Sequence, residues 1–401
     1  DKDLLCFMAD FGERILGKGI VWAKDTPNFV GNRIGVQGMV KTMQMMQEEG
    51  MTVTEVDALF GQAMGRPKTA MLKTADIVGL DTLGHVARNS YELISDEEEK
   101  KDFVLPDFFD QMLEKKILGK KTQGGFYKTE LTPEWKKVRK VINPETLEYE
   151  DWQKVDFPCL AEAKKAKTLA EKIRTIVYGD DKGARFAWKV VANGMIYAAD
   201  RIPEISDTIV EIDNAMKWGF NFEMGPFEAW DAIGVKESVA KMETDGLTVP
   251  AKGKDMLAAG VTSFYKTENG KVSFYDFDTK GYKEVVVSES NISLAALKGS
   301  GKLVKTCDSA SLVDLGDGVF CCEFHTKMNA LNAEIIQFMD EAMDYVDENG
   351  VGLVIGKHAG GMPGAFSAGA DLVQVGTAAK TNRLDEVDQM NRALHAVIQK
   401  E

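Results

Sequence analysis

Asn32 is the first residue whose type and spacing could do chemistry. The chain is helix-compatible from Asp25-Thr26-Pro27 to about Glu49. Asp or Thr can cap orphan backbone N–H groups and Pro is tolerated in a first turn, so the spacing predicts a helix starting there. Within it Asn32, Val36, Met39 and Met43 fall at i, i+4, i+7 and i+11 and share one stripe, otherwise apolar. A carboxamide has two donor hydrogens and an acceptor, and burying it unpaired costs on the order of 1–3 kcal/mol. Asn32 is therefore expected to be met by a partner: a backbone carbonyl or water from a neighbouring helix, or a polar ligand.

The elements that would position it belong to a chain of 401 residues, 44% hydrophobic, enough for two to four domains with real cores. A net charge of −14 argues against nucleic acid as the main partner. No apolar run reaches the roughly 18 residues of a membrane helix, and no secretory signal opens the chain. The opening Asp-Lys-Asp reads as an excerpt of a longer protein. Five cysteines, with Cys321-Cys322 adjacent, have neither metal spacing nor a disulfide framework, so reduced thiols and a cytoplasmic location are expected.

Residues 1–24 read as a helix with Leu4, Leu5, Met8, Phe11 and Ile15 on one face, then a short strand, Ile20-Val-Trp22. Val53, Val56, Leu59, Phe60 and Ala63 keep helical spacing. Asp76 is expected at the surface or as a cap. Residues 129–183 are charged and interrupted by Pro133, Pro144 and Pro158, and read as a linker or ordered extension, with a solvated helix face over Ala161–Lys172. Residues 184–262 repeat the first helical stretch at an offset of about 155 residues, too long for a solenoid. Val56-Asp57 aligns with Ile212-Asp213, and Met64-Gly-Arg-Pro67 through Ala75-Asp76 to Gly79 with Met224-Gly-Pro226 through Trp230-Asp231 to Gly234. The position matching Asn32 falls near Trp188. Residues 263–305 carry β-like pieces, Ser263-Phe-Tyr, Val272-Ser-Phe-Tyr and Glu284-Val-Val-Val, with Asn269-Gly270 as a hairpin turn. Then come a hairpin over Ser311–Phe324, a helix capped by Asn332 with Ile335, Phe338, Met339, Ala342 and Val346 inward, a buried strand Gly352–Gly356, and Phe366-Ser-Ala-Gly-Ala-Asp-Leu372.

Asp25-Thr-Pro-Asn-Phe-Val-Gly-Asn-Arg-Ile34 resembles the D-[ST]-P-G-F-x-x-N-R motif of 3-hydroxyacyl-CoA dehydrogenases, with Asn28 in place of Gly. Lys121-Thr-Gln-Gly-Gly-Phe-Tyr127 resembles their K-T-G-x-G-F-Y segment, with Gln123 in place of Gly, and is given no catalytic role. The hairpin, Lys327-Met-Asn-Ala-Leu331, helix, strand and Phe366–Leu372 together resemble the first half of a crotonase (enoyl-CoA hydratase) domain. The resemblance implies that Asn32 contacts the substrate near its thioester and hydroxyl end. It implies that the Ala370 N–H is one of two oxyanion donors, small residues such as Gly369 leaving such donors open to a thioester enolate. It places Ala368, Gly369 and Asp371 at the CoA, with Lys327 reaching a CoA phosphate. Read from the residues alone, Ser367–Ala370 is a tight turn and Lys327 an exposed lysine.

The fold class expected is mainly α and multidomain: two tandem helical dehydrogenase C-terminal domains, then a partial α/β crotonase-like domain. The parse is 1–24, tail of an NAD-binding Rossmann domain; 25–128, first helical domain; 129–183, linker; 184–262, second, degenerate helical domain; 263–305, β-linker; 306–401, amino-terminal half of the crotonase-like domain. The implied function is part of a bifunctional β-oxidation enzyme that oxidises 3-hydroxyacyl-CoA with NAD and hydrates 2-enoyl-CoA, possible homo-oligomer included. NAD would bind upstream: Gly350-Val-Gly352 precedes a strand instead of following one and fails as a dinucleotide fingerprint. Of His85, His325, His358 and His395 none has the dehydrogenase's catalytic context, His85 reading as structural or capping. The isolated chain is expected to be inactive. The alternatives are a non-catalytic helical dimerisation or scaffold module, and a parent carrying an enoyl-CoA isomerase in place of the hydratase.

Overall fold

The computed structural model describes residues 1–268, 271–287, 292–357 and 365–400, so the expected turn Asn269-Gly270 and His358 lie outside the described residues. The chain is mainly α-helical and falls into two compact units, Asp1–Lys266 with Phe274–Lys283, and Thr267–Ser273 with Glu284–Glu401.

In the first unit, α1 (Lys2–Asp10) runs into a π-helical turn, Phe11–Ile15, and buries no side chain. The strand expected at 20–22 is absent. The Trp22 N–H donates to the Glu211 carboxylate at 2.8 Å and the Lys24 N–H to the Ile205 carbonyl at 3.0 Å, so these backbone donors are satisfied without a sheet. Helix α2 spans Gly31–Glu48, starting later than Asp25-Thr-Pro predicts, because Asn28 and Phe29 hold left-handed φ of 60° and 52°. Then come α3 (Val53–Leu59), α4 (Met71–Val78), α5 (Leu80–Leu93), α6 (Glu97–Lys100) and α7 (Asp107–Glu114).

The stretch read as an irregular linker is ordered. Strands β1 (Tyr127–Leu131), β2 (Lys137–Ile142) and β3 (Tyr149–Asp151) form an antiparallel sheet with Tyr127 opposite Val141 and Val141 opposite Glu150. The outward lysines and arginine of β2 hid its period-two pattern. Helices α8 (Pro158–Ala163) and α9 (Leu169–Val177) follow. The solvated helix expected over 161–172 is thus broken, and α9, opened by a Thr168/Glu171 capping box, buries Ile173, Ile176 and Val177. The second helical half is α10 (Lys182–Asp200), α11 (Ile209–Gly219), α12 (Pro226–Ile233), α13 (Val235–Thr244) and α14 (Ala251–Ala258), and α2 packs on α5, α10 and α11.

One device holds both halves. Asp57 accepts from the Leu72 and Lys73 N–H groups at 2.6 and 3.1 Å, and Asp213 from Phe227 and Glu228 at 2.9 and 3.1 Å. Asp76 accepts from Phe126 and Tyr127 at 2.7 and 2.9 Å, and Asp231 from Phe264 and Tyr265 at 2.7 and 2.8 Å. Asp76 is therefore a buried clamp and not the surface or helix-capping residue expected. Gly125 is needed there, since a Cβ would sit 2.0 Å from Asp76 Oδ1. Phe126 is fully buried against Phe108 and Phe109.

Strands β4 (Tyr265–Glu268), β5 (Lys271–Asp276) and β6 (Gly281–Glu284) make a small sheet that ends before Val285–Val287. The second unit contains α15 (Leu294–Gly299), a helix inside the expected β-linker. Strands β7 (Leu303–Thr306), β8 (Ala310–Gly316), β9 (Val319–Phe324) and β10 (Gly352–Gly356) form a sheet of order β10-β9-β8-β7, antiparallel except for β9 with β10. Helix α16 (Ala333–Asn349), N-capped by Asn332, links β9 to β10 and buries all five of its expected inward residues. Strand β10 is half exposed instead of buried, because it is the sheet's edge among the described residues. Helices α17 (Leu372–Lys380) and α18 (Leu384–Ile398) close the described chain.

Candidate functional site

Asn32 lies in the first turn of α2, exposed, and its carboxamide makes no hydrogen bond within the described residues. The expectation that it is buried fails for a geometric reason. The helix begins at Gly31, so the stripe of Val36 and Met43 is sealed in the core while Asn32 emerges at its end. The buried carboxamide of α2 is Gln37, whose Nε2 donates to Asp102 at 3.0 Å and whose Oε1 has no partner. No side chain caps α2, so the positive end of its dipole is open beside Asn32.

Arg33, the motif's second member, is fully buried and fixes this turn. Its guanidinium donates to Glu99 at 2.8 Å, the Tyr197 hydroxyl at 3.0 Å, Glu204 at 2.7 Å and the Pro27 carbonyl at 3.3 Å. Arg201 completes the cluster on Glu99. With Arg33 held inward, its neighbour must face outward. Asn28 tolerates the left-handed backbone where the family motif has Gly, and its Nδ2 donates to Ser90 Oγ at 2.6 Å. Gln123, the other departure from that pattern, also sits at a left-handed φ of 62°. Trp188, near the matching position in the second half, is buried with Nε1 donating to Asp245 at 2.6 Å.

In the second unit the backbone brings residues 327–331 and 366–371 together. The Leu331 N–H donates to the Gly369 carbonyl and the Asp371 N–H to the Leu331 carbonyl, both at 2.8 Å. In such a parallel bridge the N–H of Ala370 points the other way, and no acceptor among the described residues takes it. Its neighbours are occupied: the Ala368 N–H donates to Met328 at 3.0 Å and the Gly369 N–H to Ser367 Oγ at 3.0 Å. Gly369 has φ of +83°, which suits glycine. Asp371 caps α17, accepting from Val373 and Gln374 at 2.8 and 3.4 Å, so its carboxylate is committed to the fold. Lys327 is exposed and without an ion pair among the described residues.

Sequence reasoning missed Asn329. It is buried at a left-handed φ of 50°, its Nδ2 donates to the Phe366 carbonyl at 2.8 Å, and its carbonyl accepts from Ser367 Oγ. The signal available was an amide side chain within Lys327–Leu331. Likewise Arg33 stood beside Asn32 in the motif unremarked. Of the histidines, His85 is exposed within α5 instead of capping it, His325 meets Ser311 Oγ at 2.9 Å and His395 is exposed. The five cysteines are free thiols. No described helix is long and apolar enough to cross a membrane.

Residues 29–129 match the family model of the 3-hydroxyacyl-CoA dehydrogenase C-terminal domain. The chain is 42% identical over its full length to a probable 3-hydroxyacyl-CoA dehydrogenase of Bacillus subtilis, covering 49% of that protein. It is 27% identical, over 91% of its length, to a protein of Rickettsia felis named as a fatty acid oxidation complex trifunctional enzyme, covering 45% of it. A probable 3-hydroxyacyl-CoA dehydrogenase of Deinococcus radiodurans is 45% identical over 32% of the chain and 36% of its own length. The chain spans about half the length of the two relatives it matches throughout. It is thus similar, over residues 29–129, to the C-terminal domain of 3-hydroxyacyl-CoA dehydrogenases and, over its whole length, to half of such a protein.

Proposed function

We propose that the chain supplies the substrate-positioning part of an enzyme that oxidises 3-hydroxyacyl-CoA to 3-oxoacyl-CoA in fatty acid oxidation. The observation that carries this is Asn32: exposed, without a hydrogen-bond partner among the described residues, beside an uncapped helix end, and held outward by the Arg33 cluster. Its carboxamide can donate to the substrate's thioester or hydroxyl oxygen, and the open end of α2 favours negative charge growing there. A hydride acceptor is required, and NAD is the one the family resemblance implies. The described residues carry no Gly-rich turn joining a parallel strand to a helix, so they do not fit NAD, and no step is assigned through it.

In the second unit we assign the Ala370 N–H, which no described residue accepts, as an oxyanion donor to an enoyl-CoA thioester, with Ala368 and Gly369 shaping the approach and Lys327 available to a CoA phosphate. Asp371 serves there through its cap on α17. Hydration or isomerisation is the reaction class this supports. The parse into tandem helical domains and a crotonase-like segment belongs to the same proposal, the paired carboxylate clamps supporting the tandem part.

The test is equilibrium titration of the chain with a 3-hydroxyacyl-CoA. Binding is expected, with Asn32→Ala weakening it about tenfold, the value of one charge-assisted or well-oriented hydrogen bond. Equal affinity in the variant, with unchanged circular dichroism, would refute the role of Asn32.

A further inference from the structure

The start of α2, where Asn32 emerges, is fixed from the other helical half of the first unit. The connection between α10 and α11, residues 201–208, meets the chain on both sides of Asn32. Upstream, the Lys24 N–H donates to the Ile205 carbonyl at 3.0 Å and the Lys24 ammonium pairs with Asp207 at 2.6 Å. Downstream, Arg33 donates to Glu204 at 2.7 Å and to the hydroxyl of Tyr197, in the last turn of α10, at 3.0 Å. All three guanidinium nitrogens of Arg33 are thereby committed, Nε to Glu99 and Tyr197, Nη1 to Pro27 and Nη2 to Glu204. A planar fork held at every nitrogen does not turn. Successive helical side chains point about 100° apart, so the direction of Asn32 follows from that of Arg33.

Packing gives a second, independent observation. The ring of Phe220, at the end of α11, lies 2.2 Å from where a Cβ on Gly35 would sit, and the ring of Trp218 lies 2.3 Å from a Cβ on Gly19. A larger residue at either place would push the segment around Asn32 off the second half.

The two helices also start differently. Helix α10 carries its own cap, Asp181 accepting from the Ala184 N–H at 3.0 Å, whereas no side chain caps α2. A cap would fill the first-turn donors beside Asn32. Holding the turn through Arg33 and Gly35 orders it and leaves those donors open.

We infer that the second helical half positions Asn32 for substrate, with Glu204 and Tyr197 as positioning residues that act through Arg33. This rests on the role proposed for Asn32 above. Glu204 is the member to change, since it lies in a half-exposed turn and its loss leaves Arg33 paired with Glu99.

Titration of the full chain with 3-hydroxybutyryl-CoA, read as a double-mutant cycle, tests this. Glu204→Ala should weaken binding about fivefold, and Glu204→Gln, whose amide oxygen can still accept from Arg33, should recover most of the loss. In an Asn32→Ala background Glu204→Ala should cost less than about twofold, because the group it acts through is gone. A merely structural role would lower the melting temperature without this dependence on Asn32. Should Glu204→Ala fail to fold, Tyr197→Phe enters the same cycle with the same expectations. Full affinity in Glu204→Ala, or the same loss with and without Asn32, would overturn the inference and leave the role of Asn32 standing. No binding by the unaltered chain, or full affinity in Asn32→Ala, would remove the role of Asn32 and this inference with it.

Discussion

The two helical halves of the first unit share their clamps and differ in what they present. Asp57 and Asp76 in one, Asp213 and Asp231 in the other, gather backbone N–H groups in the same way. Where the first half exposes Asn32, the second buries Trp188. Where the first reads Met64-Gly-Arg-Pro67, the second reads Met224-Gly-Pro226 without the arginine. The two halves thus share their backbone-satisfying carboxylates, because an orphaned buried N–H is costly in either one. Residues 32 and 188 carry no such obligation, and there the halves part.

The largest expected effect comes from Arg33. It is buried among Glu99, Tyr197 and Glu204, whereas Lys189, near the matching place on α10, is exposed and pairs with Glu49 at the surface. Arg33→Ala should cost about 3–5 kcal/mol in chemical denaturation, because it breaks a buried ion-pair network and leaves Glu99 to Arg201 and Tyr197 alone. Lys189→Ala should stay within about 0.5 kcal/mol. Similar losses in both variants would erase the asymmetry.

Next is pH. Burial pushes Asp213 up to about 8, Asp76 to about 7, and Asp57 and Asp231 to about 6, against the hydrogen bonds that favour their charged forms. An unfolded carboxyl group titrates near 3.9, so between these values the folded state holds more protons. Stability from these groups therefore rises as pH falls from about 8 toward about 5.5. The melting temperature should follow, and Asp213→Asn should flatten the slope more than Asp57→Asn does. A melting temperature that rises with pH through this range would contradict the sign.

Much of this was legible in the sequence, and the misses have physical causes. The repeat could be aligned because Ile212-Asp213 and Trp230-Asp231 retain their clamps. In the second unit the hairpin and the five inward residues of α16 followed from period and cap. Asn32's exposure was not legible, since it depends on where α2 starts, and that depends on two left-handed residues with no glycine to announce them. Strands β1 to β3 were hidden because a charged outer face reads as a linker. Arg33 and Asn329 were missed because a buried polar residue shows its partners only in three dimensions.

The smallest effect sharpens the reading of the two departures from the family motifs. Gln123→Gly should stabilise by about 0.5–1 kcal/mol, since glycine takes a left-handed φ without strain. Asn28→Gly should gain less, because it forfeits the bond to Ser90. Equal gains in denaturant midpoint would show that this bond contributes nothing.

On the proposed function the half that carries Asn32 meets the substrate and the half that carries Trp188 does not. Hydrogen–deuterium exchange with and without a 3-hydroxyacyl-CoA tests it most directly. Slowed exchange at residues 26–35, with residues 182–192 unchanged, is the predicted result. Equal protection of both segments, or protection of the second alone, would contradict it.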